Sequence, residues 1–152
     1  MTAAPVARLE SLLRERKLDR TAFHSFDRKT SDLAETGLAA LDELLDGGLP
    51  RGHLSEIVGA GSSGRTGVLT TVCGAAMARG ELGALVDACD RFDPVSAAAA
   101  GLDLSSLLWI RGRERTRDLA QTVKQVLKAM NLVLDAGGFG VVALDLSDVP
   151  IP

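Results

Sequence analysis

The residues with the clearest chemistry are Gly59, Gly61, Ser62, Ser63, Gly64, Arg65 and Thr66, which keep the spacing G-x-x-x-x-G-K-[ST] with arginine in the place of lysine. Glycines at this spacing let a tight turn aim successive backbone N–H groups at a phosphate chain. The helix that follows adds the positive end of its dipole. In the intact pattern the lysine brings a mobile charge to the outer phosphates, and the Ser/Thr hydroxyl holds Mg²⁺. Here the cradle and the Thr66 hydroxyl are present and the ammonium is not. Arginine keeps the charge but is longer, planar and forked, so the exchange is not conservative at a packed site. Asp145 closes an apolar run. It is a candidate second support for Mg²⁺ beside Thr66, with a strand-end turn cap as its structural alternative.

Several elements must position these groups. Pro5, Val6, Leu9, Leu12 and Leu13 give an amphipathic helix over 1–17. Residues 18–35 are polar and aperiodic and read as a linker, leaving 36–152 as the core. A short helix over 38–45 carries Leu38, Leu41, Leu44 and Leu45 on one face and stops at Gly47-Gly48. Residues 53–58 read as a buried strand feeding the glycine loop. A helix over 65–79 then buries Val68, Leu69, Val72, Cys73, Ala76 and Met77.

Residues 82–87 form the next expected strand, and Asp93-Pro94 caps a small alanine-rich helix. A strand over 107–110 precedes a long helix marked by Leu119, Val123, Val126, Met130 and Val133, which Gly137-Gly138 ends. Residues 139–145 suit a central strand of a parallel sheet, next to the strand of the loop. Strands alternating with helices make this an α/β chain with a doubly wound, mostly parallel sheet. The sheet looks truncated after the Asp145 strand.

Composition narrows the classes. Of 152 residues, 46% are hydrophobic and 24% charged, the profile of a globular domain with a real core. A net charge of −3 advertises no global nucleic-acid field. Arg111, Arg113, Arg115 and Arg117 form a local basic run, diluted by Glu114 and Asp118, for which a solvated loop is the default. Cys73 and Cys89 have neither disulfide-framework nor metal-ligand spacing, and His24 and His53 lack partners at ligand distance in sequence. Arg8, Glu10 and Arg14 interrupt what a secretory leader would need to be apolar. These features predict a cytoplasmic protein without a membrane segment.

The flanking motifs Thr36-Gly37, Leu41-Asp42, Gly47-Gly48-Leu49-Pro50, Glu56-Ile57, Asp87-Ala88, Asp93-Pro94 and Gly101-Leu102-Asp103 resemble, in order and spacing, the RecA-like phosphate-loop ATPase core. The resemblance covers about residues 33–150 and looks closest to the shortened, ImuA-type RecA-like proteins of DNA-damage mutagenesis. It implies ATP and Mg²⁺ as cofactors, with no metal cluster. It assigns Asp93 to the adenine base. The family's water-activating glutamate falls on Cys89, and its base-stacking tyrosine falls on Ser96 in a chain without tyrosine. It also implies that an N-terminal helix packs on a neighbouring subunit.

These departures set the expectation of an accessory protein of bacterial DNA repair or SOS-induced mutagenesis in which hydrolysis is weak or absent. DNA-repair or translesion polymerase proteins are its expected partners. DNA contact and self-association through the N-terminal helix stay open. One rival is a DNA-dependent ATPase that uses Arg65 for the lysine and Asp90 for the glutamate. Another is an interaction module that binds no nucleotide.

Overall fold

A chain of this pattern must cover both faces of a sheet with helices, and the computed structural model does so. It describes residues 33–112, 119–147 and 149, within one of two units into which the chain divides, residues 32–152. The helix expected over 1–17 and most of the linker lie outside the described residues.

The first elements form a small hairpin. β1 (Leu33–Ala34) pairs antiparallel with β2 (Leu49–Pro50), and α1 (Ala39–Leu44) lies between them in sequence. The end of the expected linker is therefore a strand. Thr36 behind it is fully buried. Its N–H donates to Asp42 Oδ1 at 2.8 Å, and its hydroxyl accepts from the Leu38 N–H at 3.2 Å. The Thr36 amide holds the Asp42 carboxyl below its ordinary range. The expected apolar face of α1 is only partly covered: Leu41 and Leu45 are half-buried, but Leu44 is 82% exposed. Gly48 returns the chain to β2 with φ +129°, and a Cβ there would fall on the carbonyl oxygen of Ala34.

The main sheet joins β3 (Leu82–Asp87), β4 (Leu107–Arg111) and β5 (Phe139–Asp145) in the order β4-β3-β5, all parallel. α2 (Arg65–Ala78), α3 (Pro94–Ala99) and α4 (Leu119–Ala136) supply its helices. Cys73 of α2, Ala97 of α3 and Leu102 pack together with Leu107 and Val141 from the sheet. On the opposite face Val86 and Ala88 meet Val126 of α4, joined by Ile110 and Leu144. Helices on both faces make the sheet doubly wound, because alternate residues of each strand point to opposite sides. Burial pushes the Cys73 thiol up to about 11, so it serves as a small core hydrophobe.

Two expectations are corrected. β3, not Phe139–Asp145, is the central strand; β5 is an edge of the three-stranded sheet, with Ala143 its one buried residue. Residues 53–58 form no strand. They are exposed throughout, Leu54 at 88% and Val58 at 79%. An extended apolar segment becomes a strand only when a neighbour takes up its N–H and C=O groups. None of the described strands pairs with this one. Just before the segment, the Arg51 guanidinium donates to Glu81 at 2.6 Å, next to the start of β3.

Gly48→Ala combines a forbidden φ with a backbone clash, and should lower stability by at least about 2 kcal/mol in urea denaturation. A loss below about 0.5 kcal/mol would show that the hairpin relaxes freely.

Candidate functional site

The glycine loop is exposed from Gly59 to Gly64. The Ser63 N–H donates to the Ala60 carbonyl at 3.2 Å, and Ser62 sits at φ +62°. A Cβ on Gly59 would lie 2.5 Å from Ser63 Oγ and 3.5 Å from Arg65 Cγ, so the loop folds back over the first turn of its own helix. Gly61 meets nothing within 4 Å. Gly64 is the N-cap of α2, at φ +90° and with no side-chain cap. The leading amides of this 14-residue helix are thus left to whatever anion approaches. Arg65 is half-buried at its first position.

Thr66 and Asp145 border the same small gap between α2 and the sheet. With Phe92 and Leu102 they line one cavity of about 20 Å³, room for about one water. Asp145 Oδ1 accepts from the Ser147 N–H at 2.7 Å, and its carbonyl accepts from the Ala88 N–H at 3.1 Å. Helix and acid converge although residues 53–58 do not pair beside β5. The rest of the lining is Leu69, Thr70, Cys73, Leu85 and Leu107, largely apolar, so the Thr66 hydroxyl and the Asp145 carboxylate are the groups there that would hold Mg²⁺, with water and phosphate completing its shell outside the gap.

Asp87, to which sequence reasoning gave no side-chain role, organises the neighbouring loop. It ends β3 in register with Asp145 on one side and Arg111 on the other, and is 1% exposed. Its Oδ1 accepts from the Arg91 N–H at 2.9 Å and its Oδ2 from the Phe92 N–H at 2.8 Å. The Trp109 indole N–H adds a longer contact to Oδ2 at 3.4 Å. The signal was an acid closing an apolar strand just before a polar turn, whose amides need an acceptor.

The loop carries the other singled-out groups. Cys89 is half-buried and packs on the cluster of Val86, Ala88 and Val126. Asp90, at φ +54°, accepts both Nε and a terminal nitrogen of Arg111 at 2.8 Å each. This fork holds the Asp90 carboxyl below its ordinary range. The Arg111 guanidinium also lies 4.6 Å from the Trp109 ring centroid, and Trp109 meets Phe92 edge-on at 5.2 Å.

Asp93 caps α3. It accepts from the Val95 N–H at 3.1 Å and from the Ser96 hydroxyl, and the Ser96 bond is the main cause of its lowered pKa. Arg113, Arg115 and Arg117 lie outside the described residues. Among the described residues, no helix is long and apolar enough to cross a membrane.

A glycine loop opening a helix packed on a doubly wound parallel sheet, with an acid at the tip of β5 sharing a cavity with that helix's Thr66, is the pattern of the phosphate-loop class of α/β domains. Within that class, the family model described as the RecA N-terminal domain matches residues 15–150, and the chain belongs to that family. Protein RecA of Symbiobacterium thermophilum is 36% identical over 126 residues, covering 82% of this chain and 34% of its own length. Protein RecA of Methylococcus capsulatus is 37% identical over 115 residues, 75% of this chain and 31% of its own. Protein RecA of Chloroflexus aggregans is 34% identical over 118 residues, 77% and 31% respectively. The chain spans about a third of the length of these curated relatives.

Asp87→Asn turns one acceptor into a donor facing the Arg91 or Phe92 amide, and should cost about 1–3 kcal/mol in urea denaturation. Asp90→Asn, at the surface, should shift the midpoint far less. Equal losses would show that the loop does not hang on the buried carboxylate.

Proposed function

We propose that this chain is a RecA-like accessory protein of bacterial DNA repair, acting in SOS-induced mutagenesis, that holds Mg²⁺–ATP in the Gly59–Thr66 loop and hydrolyses it slowly or not at all. One observation carries the reading. Thr66 and Asp145 share a cavity under an uncapped helix end, while the acid beside the missing glutamate is locked to Arg111. In this reading the amides of Ser62, Gly64, Arg65 and Thr66 hold the phosphate oxygens, the Ser63 amide being bonded to the Ala60 carbonyl, and Arg65 adds its charge. Thr66 and Asp145 hold Mg²⁺, which when bound neutralises charge between the phosphates.

Hydrolysis also needs a base on the attacking water, typically worth about 10²–10⁴ in rate. Cys89 is a poor one, since a thiol has a reference pKa of about 8.5 and the side chain packs in an apolar cluster. Asp90 is poorer, because the arginine fork stabilises its ionised form and weakens it as a proton acceptor. That pairing argues against the rival ATPase built on Asp90.

DNA-repair proteins, translesion polymerases among them, are the partners in this reading. The segment over 1–17 is the proposed docking helix, either for such a partner or for a second copy. Direct DNA contact is not required.

Phosphate release from ATP, measured with and without single-stranded DNA, should stay near the uncatalysed background. Turnover at the rate of an active recombinase contradicts the proposal. Arg65→Lys should tighten Mg²⁺–ATP binding by about threefold to tenfold, because a compact ammonium suits the cradle better than a planar fork. Unchanged affinity would remove Arg65 from the site.

A further inference from the structure

Among the described residues, the Gly59–Thr66 loop offers amides for phosphate, while the positions matched to a base are engaged within the fold. Asp93, which the family resemblance assigns to the base, and Ser96, which stands where the family has its stacking tyrosine, are bonded to each other. The second Asp93 oxygen caps α3 through the Val95 N–H. Neither presents a flat face to a purine. The described aromatic rings near this end are already engaged: Phe92 packs on the Cys73, Ala97 and Leu102 cluster and meets Trp109 edge-on, and the Trp109 ring lies under Arg111.

Space agrees with chemistry. The cavity beside Thr66 and Asp145 measures about 20 Å³ and is lined mostly by Leu69, Cys73, Leu85, Phe92, Leu102 and Leu107, so it is a gap in the core and receives no base. A roomier hollow of about 350 Å³ exists, but Val86, Ala88, Ile110 and Val126 line it on the α4 face of the sheet. The Thr66 cavity shares Cys73 and Leu102 with the core on the α2 face.

We infer that the Gly59–Thr66 loop recognises the Mg²⁺-bound polyphosphate chain alone, accepting nucleoside triphosphates and inorganic tripolyphosphate without discrimination by base. The inference rests on the phosphate-loop reading above and adds the ligand class. Backbone amides, Arg65, Thr66 and Asp145 all address phosphate oxygens or their cation. Discrimination among bases requires a stack or an edge contact, and among the described residues the candidates near this end are used within the fold.

Calorimetric titration of the 152-residue protein with Mg²⁺–ATP, Mg²⁺–GTP and Mg²⁺–tripolyphosphate tests it. The three affinities should agree within about threefold. A preference for ATP of about tenfold or more over both others overturns base indifference and leaves the phosphate loop standing. Absence of binding by all three overturns both readings. Ser96→Tyr should then raise ATP affinity about tenfold by restoring a stacking face, with tripolyphosphate unchanged. A Ser96→Tyr protein that gains nothing for ATP contradicts the assignment of indifference to this position.

Discussion

The buried carboxylate of Asp87 is the constraint on which the candidate site depends. A charge at the end of a central strand can be sheltered from water only if donors surround it. Here the donors are the amides of Arg91 and Phe92 and, at longer range, the Trp109 indole. Meeting that requirement dictates the path of residues 88–92. It sets Phe92 against the cavity that Thr66 and Asp145 share and leaves Asp90 within reach of Arg111. The loop that in a hydrolase would deliver a base is held instead by its own hydrogen bonds.

The separation of phosphate chemistry from everything around it follows from where each group resides. In the proposed reading the phosphate contacts belong to the loop and the first turn of α2, where Gly59 folds against Ser63 and Gly64 lies in the left-handed region. Those requirements are local and survive changes elsewhere. Base stacking and water activation need side chains from the loop after β3 and from α3, and there Cys89, Asp90, Asp93 and Ser96 have turned to packing, ion pairing and capping.

How much of this was legible in the sequence depended on whether a local pattern sufficed. β3 and β5 appear where apolar runs after Gly80 and after Gly137-Gly138 place them, and α4 follows its helical periodicity to Gly137. The Asp93 cap with Pro94 was readable from two adjacent residues. Residues 53–58 misled because an apolar run encodes willingness to pair but not the presence of a partner, and no described strand supplies one. Rank within the sheet was lost for a similar reason. The continuous apolar run of β5 suggested the centre, yet order is fixed by contacts between distant segments. Asp87 and the Arg111–Asp90 pair, 21 residues apart, became visible only once β3 and β4 were set in register.

Phosphorus NMR of Mg²⁺–ATP mixed with a slight excess of the protein addresses retention and hydrolysis in one sample. The account predicts shifted or broadened β and γ resonances that persist for hours, with no growing inorganic phosphate signal. Unperturbed nucleotide resonances would contradict the capture of phosphate by the loop. A phosphate signal that rises over minutes would contradict its chemical silence.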